Sequence, residues 1–375
     1  MLCPIIVFGS ANQENILKSD AAIRLGEKHT VDLKVFVGGS GVNYALRLLA
    51  AGCEVLPILP VGDDDIGHRI REKLLEKMRG SDFSQALAAY VNSPHFWSPG
   101  LHTPCSNIVV QGLQRTVFFQ RSGRSENFRD HLVRRIDDAR PLTRGLKKTV
   151  IIGHIPCDRA GQACARPGEC TKYILGVYGG DALVYTNLGA TQIDLGIRFW
   201  EKSLPSIDVF QLNMWEARRM FSIAGLGSSL PEIVGWLKKR GQTAVITLGR
   251  LGAIGIHRDR PDTMILACSL IEISKIVDTT GAGDAFAAGM VSRLCHRPKV
   301  GYEDFYSAMA EASLWAAYAC RTYGASGDCP SQRRLKAFAA GNTLKDSSPM
   351  EIDFNRYGKQ VLRLIENTYE GSQTR

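Results

Sequence analysis

Asp278-Thr279-Thr280-Gly281-Ala282-Gly283-Asp284-Ala285-Phe286-Ala287-Ala288-Gly289 is the stretch on which the reading of this 375-residue chain turns. A strand is expected to enter it over Ile271-Glu272-Ile273 to Val277, and a helix to leave it from Asp284 to about Leu294. The two glycines between them predict a turn that leaves the N–H groups of Ala282, Gly283 and Asp284 free and aligned. A helix N-terminus adds partial positive charge there, so the turn favours an anion. Glycine lets that anion come close to the backbone. Asp284 then places a carboxylate at the same spot. A site that only held a phosphate would not put an aspartate beside it. A site that moves a phosphoryl group onto an alcohol would, because the amides stabilise charge while the carboxylate takes the hydroxyl proton. Taken alone, an aspartate here is equally a common helix cap.

The length allows one large α/β domain or two smaller ones. A hydrophobic content of 45% supports a substantial core. No apolar run approaches the ~18 residues of a membrane span, and the opening residues read as a first strand and not as a secretion signal. The ten cysteines include no C-x-x-C pair, so free thiols and a cytoplasmic location are expected. Cys157, Cys164 and Cys170 lie near His154 in sequence, but their spacing matches no zinc pattern. The net charge of +9 comes in part from Arg134, Arg135, Arg140, Arg144, Lys147 and Lys148. No aromatic platform accompanies that run, so a solvated helix face is expected and no nucleic-acid partner.

Along the chain, Ile5–Phe8 reads as a buried strand and Gly9–Asn15 as a polar turn beyond it, where α/β sheets bind ligands. Residues 16–36 fit short strands. Gly38-Gly39-Ser40-Gly41-Val42-Asn43 opens a helix but lacks the third glycine of a dinucleotide fingerprint. Asp63, Asp64 and Asp65 suit a turn and N-cap better than a metal. Residues 79–103 read as loop, and Asn107–Gln111 with Arg115–Gln120 as a hairpin around Gly112-Leu113-Gln114. From Val150 onward strands and helices alternate, which implies a mostly parallel sheet covered on both faces. Polar residues follow the strand ends: His154, Asn187, Asn213 with Glu216, and Thr247 with Gly249 and Gly252. No G-x-x-x-x-G-K-S/T string supports a Walker-type ATPase. Residues 345–349 read as a loop, and Ile352 to Tyr369 as an amphipathic helix.

The opening stretch resembles the signature D-T-x-G-A-G-D-x-F-x-x-G of the ribokinase-like, PfkB-type carbohydrate kinases. Its eight defined positions are filled by Asp278, Thr279, Gly281, Ala282, Gly283, Asp284, Phe286 and Gly289. Three more segments match family patterns: Gly39 and Asn43 in G-G-x-x-x-N-x-A, Asn213 and Glu216 in N-x-x-E, and Thr247, Gly249 and Gly252 in T-x-G-x-x-G. The resemblance covers roughly residues 4–331. Residues 79–103 and 155–180 match poorly.

The resemblance implies a three-layer α/β/α domain over residues 1–331 with a mostly parallel central sheet. A small β lid is expected within about 16–36 and 104–121, and residues 332–375 form a C-terminal extension, expected to be helical. By resemblance, Asp284 is the catalytic base and Gly281, Ala282, Gly283 and Asp284 form the anion hole. Asn187, Asn213, Glu216, Thr247, Gly249, Gly252 and Gly324 face ATP. Asn12, Glu14, Gly39 and Asn43 face the acceptor, with Glu14 standing where the family pattern has aspartate. His154 is either an acceptor contact or a buried structural histidine. Glu216 orders Mg2+ through water, and Asp278 with the Thr280 backbone belongs to a K+ site. The expected acceptor is a sugar, with a nucleoside or a catalytically inactive sugar-binding protein as alternatives. Lid strands pair between subunits in this family, which suggests a homodimer.

Overall fold

Short apolar runs in this chain make strands because both of their faces are covered. Ile5–Phe8 and Thr149–Ile152 are buried at every position, as expected for parallel strands inside a three-layer fold. The computed structural model describes residues 3–19, 23–24, 26–78, 82–111, 114–120, 128–155, 166–341 and 348–373. Thirteen strands are present among them: β1 (Ile5–Phe8), β2 (Asn12–Lys18), β3 (Asp32–Gly38), β4 (Val55–Ile58), β5 (Cys105–Gln111), β6 (Gln114–Phe119), β7 (Thr149–Ile152), β8 (Leu183–Asn187), β9 (Val209–Asn213), β10 (Ala244–Thr247), β11 (Ala253–His257), β12 (Arg260–Ala267) and β13 (Met350–Asp353).

Nine of these strands form one sheet in the order β13-β12-β11-β10-β9-β8-β7-β1-β4. It is parallel from β4 to β10 and antiparallel from β10 to β13. Pro57 sits in β4, an edge strand, where its missing N–H breaks no ladder. Helices Ser40–Ala50, Ala282–Leu294 and Tyr302–Ala319 pack together against the sheet. A second group includes Met214–Ile223 and Leu230–Lys239. The remaining four strands form a separate sheet, β3-β2-β5-β6, with a small apolar centre of Ile16, Ile108 and Val110 backed by Phe36. This is the lid. Its edge strand β6 exposes Val117, Phe118 and Phe119.

Several expectations are corrected. Residues 271–277 form no strand but an extended segment with one 3-10 turn at Ile273–Lys275. Both edges of the large sheet belong to other strands, and the segment is pinned instead by the Val277 N–H to the Cys320 carbonyl (2.8 Å). Gln13 to Asn15 are not turn residues, since the whole of Asn12–Lys18 is paired with β3 and β5. Within residues 79–103 a helix spans Asp82–Asn92 and buries Leu87, Tyr90 and Val91. Ile352 lies in β13, and the terminal helix begins only at Lys359.

Arg135 is not solvated: it is buried and donates to the carbonyls of Leu59 and Phe96 and to Ser98 Oγ. Cys157, Cys164, Gly112, Leu113 and Lys345 lie outside the described residues. Among the described residues, the cysteines are free thiols, no three His, Cys, Asp or Glu side chains are grouped to hold a metal, and no helix is long and apolar enough to cross a membrane.

Candidate active site

The C-terminal ends of β1, β7, β8, β9 and β10 lie along one edge of the sheet, and the helix Ala282–Leu294 starts beside them. Gly281 is the N-cap, at φ 73°, and a Cβ there would lie 2.4 Å from Ala325 Cβ. Both the left-handed backbone and the close approach require glycine. Around Gly283, by contrast, a Cβ would meet no atom within 4 Å, so the helix start faces open space. Among the described residues the Gly283 N–H meets no partner, whereas the Ala282 N–H donates to the Thr279 carbonyl at 3.2 Å. The expectation of a free Ala282 amide is therefore corrected: the tight turn closes on it.

Asp284 lies in the first turn of the helix, whose N-cap position is Gly281. Its Oδ2 accepts 2.7 Å from Asn43 Nδ2, which the helix Ser40–Ala50 carries. The two residues are 241 positions apart in the chain. Tyr44, next to Asn43, is fully buried; burial makes its hydroxyl a much weaker acid than usual, with its pKa pushed well above the ordinary range, and Asp284 pushes the same way. Asn187 also borders that hydroxyl.

On the lid side, Glu14 is buried, and its Oε1 accepts a long bond from the Gly39 N–H (3.4 Å) while Oε2 has no partner. Burial, with smaller contributions from Asp284 and Asp278, pushes its carboxyl up to about 7. Its long side chain fits because Gly38 lies beneath it: a Cβ there would come within 2.3 Å of the Glu14 carboxyl carbon. Asn12 donates to Ser106 Oγ (2.8 Å) and keeps its Oδ1 unpaired, as does Asn43. His154 donates its backbone N–H to Ser40 Oγ (3.0 Å), and its ring packs over Gly189. Burial lowers its imidazole to about 4, so the ring is neutral, and Nε2 is unpaired.

On the other side of Asp284, Asn213 and Glu216 cap the helix Met214–Ile223 reciprocally, each side chain accepting from the other's backbone N–H at 2.8 Å. Glu216 is pushed up to about 7, chiefly by burial and further by Asp284, with the Asn213 N–H opposing. A half-buried carboxylate raised by a second one fits a divalent cation, which would relieve both charges. Thr247 stands across from Asn213 in the β9–β10 register, and Asn187 across from Gln211. Gly249 (φ 57°) and Gly252 (φ 96°) shape the turn after β10.

Asp278 does not stand open: Oδ1 accepts from the Thr280 N–H and hydroxyl (2.9 and 2.7 Å), and Oδ2 from the Gly324 N–H (2.9 Å). Its carboxylate ties the turn to Gly324.

Several residues near the site escaped the sequence reading. Ser40 Oγ receives the backbone N–H groups of Ser10 and His154 and so joins two strand-end loops. Phe36 of β3 packs over Gly324 and Gly327, and Ser326 donates to the Val37 carbonyl, which docks the lid on the Gly324 turn. Gln211 reaches the Gly283 carbonyl. Its only signal was an amide inside the apolar run Val-Phe-Gln-Leu.

Residues 200–332 match the sequence profile of pfkB family carbohydrate kinases. Over 323 residues the chain is 24% identical to an ATP-dependent 6-phosphofructokinase of Thermoanaerobacterium thermosaccharolyticum, covering 81% of this chain and 85% of that protein. Among solved structures, the ribokinase of Arabidopsis thaliana complexed with ribose and ATP superposes with a TM-score of 0.64 at 18% identity, covering 90% of this chain and 99% of that one. The nucleoside kinase of Burkholderia thailandensis in complex with inosine gives 0.64 at 19%, covering 92% and 99%. The fold is thus ribokinase-like, and the matched segment contains the Gly281–Asp284 turn. The chain carries a pfkB family carbohydrate kinase segment on a ribokinase-like fold, which supports a phosphotransferase acting on a sugar hydroxyl.

Proposed function

We propose that the protein transfers the γ-phosphoryl group of ATP to a hydroxyl of a small, unmodified sugar, with Asp284 as the base. The observation that carries this reading is the Asp284 carboxylate, fixed by Asn43 at 2.7 Å, one residue from the open Gly283 amide. Asp284 accepts the hydroxyl proton as the oxygen attacks phosphorus. The Gly283 N–H and the helix N-terminus face the charge on the transferring group. The unpaired oxygens of Asn12, Glu14 and Asn43 are hydrogen-bond acceptors, suited to the several O–H donors of a polyol.

Neutral His154 supplies one further contact at the acceptor end, and Gly39 lets the acceptor approach the helix start. On the nucleotide side, Asn187, Asn213, Thr247, Gly249, Gly252 and Gly324 border ATP. Glu216 would hold Mg2+, which would supply neutralisation of the phosphate charge. The lid covers the acceptor and limits water entry. Its exposed β6 edge suits pairing with a second copy, which light scattering at defined concentration tests.

The deciding experiment is ADP release from Mg-ATP over a panel of sugars, sugar phosphates and nucleosides, with the parent and Asp284→Asn. Turnover stimulated by one acceptor class, falling about 10³-fold in D284N while ATP still binds, is the expected result. Near-parent turnover in D284N removes Asp284 from the mechanism.

A further inference from the structure

Gln211 sits at the centre of β9, flanked by β8 and β10, and is 1% exposed. An amide at such a position is costly unless its polar atoms are paired. Both ends of this one are. Oε1 accepts from the hydroxyl of Tyr185 on β8, itself fully buried, and Nε2 donates to the Gly283 carbonyl at 3.2 Å. The relay therefore runs from one strand through the next to the first turn of the helix Ala282–Leu294.

Gly283 has no side chain to anchor it, and its outer side is open. Its orientation is set from beneath, by the sheet. Holding the Gly283 carbonyl fixes the peptide plane it shares with the Asp284 N–H, and so the direction of that N–H and the start of the Asp284 side chain.

We propose that Gln211, braced by Tyr185, is a positioning residue for phosphoryl transfer, holding the Gly283–Asp284 peptide so that its N–H keeps the direction the transferring group requires. This rests on the reading of the Gly281–Asp284 turn as the anion hole. Gln211 touches no reacting atom. Its effect is therefore expected in kcat and not in the affinity for either substrate.

The test uses three variants of the full chain. Gln211→Met keeps the shape and removes both hydrogen bonds. Its kcat is expected to fall roughly 10- to 100-fold, below the loss for removing a direct oxyanion donor, with KM for ATP and acceptor within about threefold. Gln211→Glu is isosteric. As a neutral acid it still donates to the Gly283 carbonyl; once ionised it cannot, and it sets a negative charge under the hole. Its turnover relative to the parent is therefore expected to fall as pH rises through the buried acid's titration. Tyr185→Phe is expected to lose less than Q211M, because the amide still reaches Gly283.

A role confined to folding would lower the melting temperature and leave the pH profile parallel to the parent's. A Q211M kcat within twofold of the parent, or a Q211E profile parallel to the parent's, overturns the proposal. If Q211M does not fold, Q211E decides. An inactive D284N beside an unimpaired Q211M would remove Gln211 alone, whereas an active D284N would remove the site reading beneath it.

Discussion

Replacing Glu14 by glutamine separates the charge of this side chain from its shape. The carboxyl is buried, with Oε2 unpaired, and is pushed from an ordinary 4.5 up to about 7. In the folded protein it holds its proton more tightly than in the unfolded chain. The linkage sign follows: stability is greatest below about 4.5, declines as pH climbs to about 7, and is lowest above that, where the charge is present in both states. At ~1.36 kcal/mol per unit, the ionised side chain costs the empty protein up to about 3 kcal/mol at pH 8.

Glu14→Gln should therefore raise Tm by a few degrees at pH 8, and the gain should shrink towards zero near pH 4.5. The same change should weaken the acceptor. A hydroxyl bound to a charged oxygen contributes about 1 kcal/mol more than one bound to a neutral oxygen, which corresponds to roughly fivefold in KM. In the parent, acceptor KM should fall by about that factor between pH 6 and pH 8, and in E14Q it should be flat. Glu216 titrates in the same range but is retained in E14Q, so the difference between the two proteins isolates Glu14. Differential scanning calorimetry and initial rates at several pH values measure both quantities. An E14Q protein less stable than the parent at pH 8, or a parent acceptor KM independent of pH, would refute the reasoning.

Glu216→Gln should raise the Mg2+ concentration for half-maximal rate at least severalfold, and the parent's Mg2+ requirement should ease as pH rises through about 7, where Glu216 ionises. Gly281→Ala should cost more than 1 kcal/mol of stability, because it combines a positive φ with a 2.4 Å approach to Ala325, and it should lower kcat as well; denaturant melts and rates check both. Truncation after Gly341 should expose the edge of β12 and lower Tm, with light scattering showing concentration-dependent association.

Much of the fold was readable because buried parallel strands leave apolar runs and the strand ends carry glycines and amides. The turn at Gly281 was readable for a sharper reason: left-handed backbone and close approach restrict residue choice at single positions. Four other features were not. Residues 271–277 have strand composition, but this segment pairs with no strand and is held instead by the Val277 and Asp278 N–H groups on the Cys320 carbonyl. β13 is short and mostly exposed, so its identity comes from β12 and not from its own pattern. Asn43 was read as an acceptor contact, yet its amide nitrogen meets Asp284, a pairing that only the helix packing reveals. Gln211 looked like a flaw in an apolar strand until its partner at Gly283 was seen.

The place of β13 also bears on how the chain folds as it is synthesised. β12 finds β11 at once, as a local hairpin partner, but its other edge waits for Met350–Asp353. Every strand that surrounds the proposed active site is made before then. At ribosomal rates of about 5–20 residues per second, the nascent sheet carries an unpaired edge for several seconds after its catalytic half is complete. In that interval the molecule holds its whole phosphoryl-transfer machinery and an adhesive border together. Association between neighbouring nascent chains is then a risk set by the order of synthesis, and it eases when the short, mostly exposed strand Met350–Asp353 replaces β12 as the edge.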